Sequence, residues 1–278
     1  MEQNLTFSDL GLSTEILQAL EKKGYGYPTK IQQEAIPPLM EWKDVIAKAP
    51  TGTGKTFAFG IPMIEHIDAE SQELQGLILA PTRELAIQIG DELRGLLAFY
   101  KNIRVAVVYG GAKIEGQIKQ LQKFPQIVVA TPGRLMDHYK RKTLRLDKVK
   151  TVILDEADRM LDMGFRDDVA AIVRECSSRF QTMLFSATLE GAGIRDFAQS
   201  VLNTPFEVKL SAGDNGEKIP EQLLLRAYYA AGDEQKANIL VHLLTTMRGR
   251  SVIFVKTKER IKKVASLLKR NRFSRATL

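Results

Sequence analysis

The chain has 278 residues, of which 44% are hydrophobic and 26% charged, and it contains one cysteine. This composition excludes an intrinsically disordered chain, and a single cysteine excludes a scaffold held by internal disulfides, so we expect a reducing, cytoplasmic location. The 40 basic and 33 acidic residues give a net charge of +7, which favours a polyanion as partner. The apolar runs are too short for a membrane-spanning helix, and we expect no signal peptide.

Short apolar runs alternate with segments of helical periodicity from Asp44 onward. Strands are predicted at Val45–Lys48, Leu77–Ala80, Val105–Tyr109, Ile127–Ala130, Val152–Leu154 and Met183–Phe185, and helices between them include Glu84–Phe99 and Ile114–Gln122. Runs without polar alternation are typical of strands buried on both faces. The pattern therefore predicts an α/β fold, in which helices flank a central parallel sheet and ligands bind at the carboxyl ends of the strands.

The composition changes after Leu210. Residues 211–220 contain two glycines, a proline and few apolar residues, which is typical of a linker. Beyond it we predict strands at Leu223–Tyr229 and Ser251–Val255 and helices at Glu234–Met247 and Glu259–Lys269. This segment is too short for a secure core of its own. We therefore predict one domain over 1–210 and part of a second α/β domain over 221–278, where most of the basic excess lies.

A glycine-containing loop follows the first predicted strand and ends in Gly54-Lys55-Thr56, like a P-loop whose first glycine is replaced by alanine. Backbone N–H groups around Gly52 and Gly54 can cradle phosphate oxygens at the start of the next helix. Lys55 can reach the β- and γ-phosphates, and the Thr56 hydroxyl can ligate Mg²⁺. The alternative is an ordinary turn before a helix.

The apolar strand at 151–154 ends in two adjacent carboxylates, Asp155 and Glu156. A strand-end aspartate can hold Mg²⁺ opposite a P-loop threonine, and Glu156 can orient or deprotonate the water that attacks the γ-phosphate. The alternative is a helix N-terminus stabilised by acids, which explains Asp158 equally well. It does not explain an apolar strand ending in Asp-Glu downstream of a P-loop. Together the two motifs predict nucleotide hydrolysis.

At Asp155-Glu156-Ala157-Asp158 the sequence resembles the DEAD-box RNA helicases, a family with two RecA-like domains that uses ATP and Mg²⁺. Seven segments resemble the family's motifs in order: Gly24–Gln32 with the upstream Phe7 (Q motif), Ala49–Thr56 (motif I), Pro81–Ala86 (Ia), Gly110-Gly111 (GG), Thr131–Arg134 (Ib), Ser186–Thr188 (III) and Val252–Val255 (IV). The resemblance covers nearly the whole chain. It implies a RecA-like P-loop domain and an incomplete second RecA-like domain.

The resemblance assigns roles to the nucleotide loops. Adenine recognition falls to Phe7, Tyr25 and Gln32, nucleotide binding also to Thr29, phosphate binding to Thr51, Gly52, Thr53, Gly54, Lys55 and Thr56, and Mg²⁺ to Thr56 and Asp155. An amide can pair with both N6 and N7 of adenine, which would favour ATP over GTP. The alternatives are core packing for Phe7 and a helix-capping amide for Gln32.

The resemblance also implies RNA contacts from Pro81, Thr82, Arg83, Gly111, Thr131, Pro132, Gly133 and Arg134. Hydroxyl, backbone N–H and guanidinium groups suit phosphate oxygens, so little sequence preference is expected. In the family these loops bend one strand and part a short duplex. Thr82 as a helix N-cap and Pro132 as a first-turn proline are compatible alternatives. Ser186 and Thr188 are expected to bond Asp158 and link nucleotide state to RNA binding.

The family's later motifs, including an arginine finger, do not occur in these 278 residues. We therefore expect a C-terminally truncated chain that binds ATP in part, hydrolyses it poorly and does not unwind RNA. One rival interpretation is a non-catalytic module that binds RNA or a partner and uses ATP as a clamp. Another is a DNA translocase or a GTPase on the same fold, and Gln32 argues against GTP.

Three further segments, Leu184–Gly191, Arg195–Ala198 and Leu240–Leu244, resemble the bacterial SrmB-type members of the family. That subgroup acts in assembly of the large ribosomal subunit, which implies ribosomal precursor particles as partners. The histidines His66, His138 and His242 show no metal-ligand spacing, and Cys176 has no paired base. We interpret them as packing or surface residues.

Overall fold

A computed structural model of the chain describes residues 5–50, 52–189, 193–210, 226–247 and 249–274. The chain divides into two compact units, Met1–Lys218 and Ile219–Leu278. The predicted linker at 211–220 and the first three residues of the predicted strand at Leu223–Tyr229 lie outside the described residues. No helix in the described ranges is long and apolar enough to cross a membrane.

The first unit is built on a parallel sheet. Its described strands are β1 (Val45–Lys48), β2 (Gly76–Leu79), β3 (Val105–Val108), β4 (Ile127–Ala130), β5 (Thr151–Leu154), β6 (Gln181–Ser186) and β7 (Phe206–Lys209). They lie in the order β3-β4-β2-β5-β6-β1-β7, and every pairing is parallel. All the carboxyl ends therefore lie at one edge of the sheet.

Helices cover both faces of this sheet. The described helices of the unit are α1 (Thr14–Lys22), α2 (Lys30–Met40), α3 (Lys55–Glu65), α4 (Arg83–Leu96), α5 (Ile114–Leu121), α6 (Pro132–Lys140), α7 (Ala157–Asp162), α8 (Arg166–Glu175) and α9 (Ile194–Val201), with 3-10 turns at Phe7–Leu10 and Leu97–Phe99. Successive strand residues point to opposite faces. Ile78 and Ile153 join the core under α1–α4, whereas Leu77 and Val152 join the core under α5–α9.

The α/β prediction is confirmed, and all six strands predicted in the first domain occur within a residue or two of their predicted bounds. The strand β7 was not predicted. Only Val208 of its four residues is buried, because β7 pairs with β1 at the edge of the sheet. A short edge strand of this kind lacks the continuous apolar run that marks the inner strands.

The second unit contains α10 (Asp233–Thr246) and α11 (Lys258–Arg270), at the positions of the two predicted helices. The prediction of a strand at Ser251–Val255 is wrong. These residues have no strand structure, and Val252 and Phe254 are 78% and 91% exposed. A strand requires a hydrogen-bonded neighbour, and the described part of this unit contains none, so an apolar β-branched sequence alone does not form one. The described end of Leu223–Tyr229 is likewise not a strand.

Candidate functional site

The candidate residues gather at the carboxyl edge of the sheet in two neighbouring groups. The loops after β5, β6 and β1, which are adjacent strands, carry Asp155–Asp158, Ser186–Thr188 and the P-loop-like segment. The loops after β3, β4 and β2, also adjacent, carry Gly110–Gly111, Thr131–Arg134 and Pro81–Arg83. The two groups meet where β2 pairs with β5.

The P-loop-like segment turns through two left-handed glycines, Gly52 at φ 85° and Gly54 at φ 89°. A Cβ on Gly54 would lie 2.5 Å from Nε2 of Gln32, so position 54 requires glycine for space as well as for conformation. The buried Thr53 donates its hydroxyl hydrogen to the Pro50 carbonyl at 3.0 Å. Thr56 is half-buried in the first turn of α3, and Thr51 lies outside the described residues.

Lys55 and Asp155 form a buried pair across this loop. The Nζ atom of Lys55 donates to the Ala49 carbonyl at 3.2 Å and lies 4.0 Å from Oδ1 of Asp155. Burial raises the pKa of Asp155 to about 6, and the nearby Lys55 ammonium only partly offsets this. A carboxylate so poorly stabilised would gain from a further cation.

The residues present fit Mg²⁺ bound together with a nucleotide. Thr56 and Asp155 offer hard oxygen ligands, and within the described ranges no group of three His, Cys, Asp or Glu could hold a metal by itself. Mg²⁺ commonly takes only one or two protein ligands and completes its octahedron with phosphate oxygens and water.

Glu156 begins α7 in a left-handed conformation, with φ 50° and ψ 50°. Such a backbone costs a non-glycine residue about 1 kcal/mol, and it turns the chain sharply at the strand end. The Glu156 carboxylate is 15% exposed and lies 3.4 Å from the Arg159 guanidinium, while its backbone N–H donates to Asp155 at 3.0 Å. The carboxylate is therefore largely buried beside Asp155 and is paired with Arg159.

Asp158 joins the loops after β5 and β6. Its Oδ2 atom accepts hydrogen bonds from the Thr188 backbone N–H at 3.0 Å and from the Thr188 hydroxyl at 2.9 Å. Partial burial opposes ionisation, but the hydrogen bonds led by that of Thr188 outweigh it and lower the pKa of Asp158. The Ser186 hydroxyl donates to the Thr188 carbonyl at 2.6 Å and so holds the same loop.

The start of α2 is tied to the P-loop-like segment. Gln32 accepts from the Thr29 backbone N–H at 2.9 Å and donates to the Gly54 carbonyl at 3.0 Å, and the Thr29 hydroxyl donates to the Thr53 carbonyl at 2.9 Å. Gln32 is therefore a helix-capping amide, as its alternative interpretation had it. Its amide still has a second hydrogen and a second lone-pair direction for another partner.

The two aromatic candidates differ in exposure. Phe7 is 4% exposed and belongs to the core, whereas Tyr25 is 52% exposed and packs edge-on against Phe57 at 5.2 Å. Both line a cavity of about 440 Å³ beside α1. Core packing thus accounts for Phe7, and Tyr25 keeps a free ring face.

The loops after β2 and β3 contact each other. Thr82 caps α4 by accepting from the Leu85 backbone N–H at 3.3 Å, behind the buried Pro81. The exposed Arg83 places its guanidinium 5.0 Å from the centre of the Tyr109 ring, just before the glycine pair. Gly111 is left-handed, with φ 82°.

The loop after β4 is likewise fixed to the glycine loop. Thr131 and Pro132 are buried at the start of α6, and Gly133 is exposed with open space around it. Arg134 is largely buried, and its guanidinium donates to the Ala112 carbonyl at 3.1 Å. Its geometry is that of a brace for the glycine loop, a role that the sequence alone did not indicate.

A hydrogen-bond chain that sequence reasoning missed completes this brace. His138 of α6 is fully buried and bonds Thr143 at 2.8 Å and Gln117 at 3.1 Å, while Gln117 donates to the Tyr109 carbonyl at 3.0 Å. Burial lowers the pKa of His138. A lone histidine and a lone glutamine carry no pattern that could have paired them.

Comparison with known proteins agrees with this arrangement. The family model described as DEAD/DEAH box helicase matches residues 29–197. The chain belongs to that family. An ATP-dependent RNA helicase CshA from Limosilactobacillus reuteri is 44% identical over 258 residues, which are 92% of this chain and 51% of the relative. A DEAD-box ATP-dependent RNA helicase CshA from Geobacillus kaustophilus is also 44% identical, over 95% of this chain and 55% of its own length.

Solved structures agree as well. A DEAD box protein from Methanococcus jannaschii matches with a TM-score of 0.71 and 38% identity, over 98% of this chain and 72% of that one. A hypothetical ATP-dependent RNA helicase from Sulfolobus tokodaii gives a TM-score of 0.67 at 33% identity, over 92% and 72%. The chain spans about half the length of the two CshA relatives named above.

Proposed function

We propose that this protein is an ATP-dependent RNA helicase of the DEAD-box type, which couples ATP binding and hydrolysis to local separation or remodelling of RNA duplexes. The observation that carries the proposal is the buried Lys55–Asp155 pair behind two left-handed glycines, at the strand ends adjoining the loops of motifs Ia, GG and Ib. Family membership supports it.

In this proposal the loops after β1 and β5 carry the nucleotide chemistry. Backbone N–H groups of the P-loop and the ammonium of Lys55 bind phosphate oxygens. Thr56 and Asp155 hold Mg²⁺, which when bound neutralises phosphate charge. Glu156 orients or deprotonates the attacking water, because it directly follows Asp155 at the end of β5. Gln32 supports the loop through Gly54 and uses its remaining hydrogen-bonding capacity for adenine, beside Tyr25.

The neighbouring loops bind the RNA backbone. Exposed Arg83, the Thr82 hydroxyl and backbone N–H groups at Gly111 and Gly133 suit phosphate contacts without base readout. Arg134 acts mainly by fixing the glycine loop. Thr188 and Asp158 join the loop after β5 to motif III within the nucleotide-binding group, and we expect this contact to link nucleotide state to RNA binding by the neighbouring loops.

We also propose ribosomal precursor particles as a substrate and the cytoplasm as location. The support is the SrmB-type resemblance of the segments at 184–191, 195–198 and 240–244 and the use of a single, buried cysteine. Co-sedimentation of the tagged protein with large-subunit precursors tests this, and its absence from every ribosomal fraction would contradict it.

The function is tested by titrating a labelled single-stranded RNA with the protein, with and without Mg·ATP. We expect ATP to tighten RNA binding, and the double variant Arg83→Ala/Arg134→Ala to lose about tenfold in affinity. An RNA affinity that is the same with and without Mg·ATP, and the same in the double variant as in wild type, would contradict the proposal. Single-turnover hydrolysis at saturating RNA separates a hydrolase from the clamp alternative and also tests the expectation of slow hydrolysis by this chain.

A further inference from the structure

A second cavity lies at the opposite, amino-terminal edge of the sheet. It has a volume of about 570 Å³ and opens where β2, β5 and β6 begin. The residues that matter for its chemistry are Ser71, Glu73, Lys148, Lys150, Arg179 and Phe180. The strands β2 and β5, each of four residues, separate it from the motif loops by about 13 Å of sheet, so it is distinct from the nucleotide and RNA site described above.

One wall of this cavity is a loop fastened by two buried glutamines. Gln75 donates to the Asp68 carbonyl at 2.9 Å and accepts from the Asp68 backbone N–H at 3.0 Å. Gln126 donates to the Ser71 carbonyl at 2.8 Å. Both glutamines are 2% exposed. Because both ends of the loop are held by buried hydrogen bonds, this wall is built into the fold.

The opposite wall is fixed to the same frame through backbone hydrogen bonds. The Lys150 carbonyl accepts from the backbone N–H of Phe180 at 2.8 Å and of Gln181 at 3.1 Å, and the Lys150 N–H donates to the Gln75 carbonyl at 2.8 Å. These hydrogen bonds therefore fix the backbone of Lys150 and Phe180 to the start of the sheet, while the Arg179 N–H donates to the Cys176 carbonyl at 3.1 Å.

The lining is basic and rich in hydroxyl groups. Three cations, Lys148, Lys150 and Arg179, face one acid, Glu73, and among the described residues none of the three has a carboxylate oxygen within 4 Å. Nearby Asp147 is already paired with Arg145 through two bonds of 3.0 Å. The Lys150 ammonium lies 3.5 Å from Oε1 of Gln75, and the Arg179 guanidinium donates to the Val201 carbonyl at 3.2 Å, so each keeps further N–H groups for another acceptor. Cations without paired acids beside serine hydroxyls form a donor set for phosphate oxygens.

An exposed aromatic ring stands beside these cations. Phe180 is 70% exposed, and its ring centre lies 6.0 Å from that of Trp42, which in turn stacks on His66 at 3.7 Å. A supported aromatic surface next to phosphate donors is the combination that binds single-stranded nucleic acid without base readout.

We propose that this cavity binds a segment of single-stranded RNA, with phosphates on Lys148, Lys150 and Arg179 and a base against Phe180. The inference rests on the proposed function in so far as RNA is the substrate. A second contact at the far edge of the sheet holds a long RNA near the motif loops and raises its effective concentration there.

The experiment is photo-crosslinking of a 20-nucleotide RNA containing 4-thiouridine to the 278-residue protein, with the sites mapped by mass spectrometry. Salt-dependent affinity is measured in parallel. We expect a crosslink within 177–180. The variant Lys148→Gln/Phe180→Ser should lose it, bind RNA about tenfold more weakly and show a salt slope smaller by about 0.7, the value for one phosphate contact, with ATP affinity unchanged.

Lys22→Gln/Phe99→Ser is the matched control, because Lys22 and Phe99 form a comparable exposed pair elsewhere on the surface, 5.7 Å apart. It should change neither readout. Crosslinks confined to the loops at 81–83, 110–111 and 131–134 would overturn the inference and leave the proposed function standing. If the RNA crosslinks to no part of the protein, both the inference and the proposed function are overturned. Displacement of the 177–180 crosslink by AMP at the same nucleotide concentration would overturn the RNA assignment in favour of a mononucleotide site.

Discussion

Asp155 and Asp158 stand three residues apart and respond to the fold in opposite ways. Asp155 is enclosed at the end of β5, where burial raises its pKa to about 6, whereas hydrogen bonds from Thr188 lower the pKa of Asp158 despite partial burial. The Asp155 carboxylate would be stabilised by a bound cation, whereas the Asp158 carboxylate is already stabilised by its hydrogen bonds to Thr188.

Asp155→Asn is expected to stabilise the nucleotide-free protein at neutral pH. The folded-state pKa of Asp155 lies above its unfolded value of 3.8, so the stability linked to its protonated form is present below pH 4 and is lost as pH rises through about 6. Urea unfolding of variant and wild type should show a difference that favours the variant by on the order of 2 kcal/mol more at pH 7.5 than at pH 4.

Asp158→Asn provides the control of opposite sign. Since the pKa of Asp158 is lowered, its contribution is present above the unfolded pKa and is lost as pH falls, so this variant should be less stable than wild type at pH 7.5 and approach it in acid. A stability difference for Asp155→Asn that does not change with pH would contradict the account.

Gln32→Glu should separate the two tasks of this side chain. A glutamate can still accept from the Thr29 N–H and cap α2, but it cannot donate to the Gly54 carbonyl and places a carboxylate against it. We expect an unchanged far-ultraviolet circular dichroism spectrum and ATP binding weakened about tenfold, measured by titration. Gln33→Glu, which loses only a bond to the Pro28 carbonyl, is the control. Equal ATP affinity in both variants would remove Gln32 from the site.

For individual residues, the chemical roles could be predicted from the sequence, but the contacts between residues distant in the chain could not. Sequence patterns directly after predicted strands identify the P-loop lysine, Asp155 and Glu156. The engagement of Gln32 with Gly54 and of Arg134 with Ala112 joins residues 22 positions apart in each case, which only the folded backbone brings together. The structure was therefore needed to choose between adenine recognition and core packing for Phe7, and between adenine recognition and helix capping for Gln32.

Helices and strands place the loops, and the contact between Asp158 and Thr188 is the direct link between the loops after β5 and β6. Thr188→Val removes the hydroxyl donor at 2.9 Å and keeps the backbone donor at 3.0 Å. We expect ATP affinity to stay within about twofold, while the tightening of RNA binding by Mg·ATP falls about fivefold.

Thr188→Ser is the matched control because it retains a hydroxyl at the same position, and it should behave like wild type in both titrations. Full ATP-dependent tightening of RNA binding in Thr188→Val would show that this link does not transmit nucleotide state.

The close approach of α4 to β3 sets the position of motif Ia. A Cβ on Gly90 would lie 2.4 Å from Cγ2 of Val107, whereas a Cβ on Gly116 of α5 would meet nothing within 4 Å. Gly90→Ala should therefore destabilise the protein by about 1–3 kcal/mol in urea unfolding, and Gly116→Ala should stabilise it by about 0.5–1 kcal/mol. Similar effects from the two variants would contradict the packing described here.

The inner strands were predictable because burial on both faces leaves a continuous apolar run. The edge strand β7 was missed, since three of its four residues are exposed. The similar apolar run at Ser251–Val255 forms no strand. An apolar run therefore predicts a strand only where a neighbouring strand is present to pair with it.

For the molecule as a whole, strand order organises function. Parallel pairing brings every motif loop that follows a strand of the first unit to one edge, and the order β3-β4-β2-β5-β6-β1 separates RNA-binding candidates from nucleotide-binding candidates while keeping them adjacent. The motif order in the sequence predicts which loops exist, but not that strands distant in sequence, β1 and β6 above all, place theirs side by side.

Calorimetric titration of the 278-residue protein with Mg·ATP tests the central claim most directly, namely that the loops at the carboxyl edge form an ATP site centred on Lys55 and Asp155. We predict saturable binding that EDTA weakens, that Mg·GTP does not match, and that Lys55→Gln abolishes while the variant remains folded by circular dichroism. Equal binding of Mg·ATP by wild type and a folded Lys55→Gln variant would contradict it.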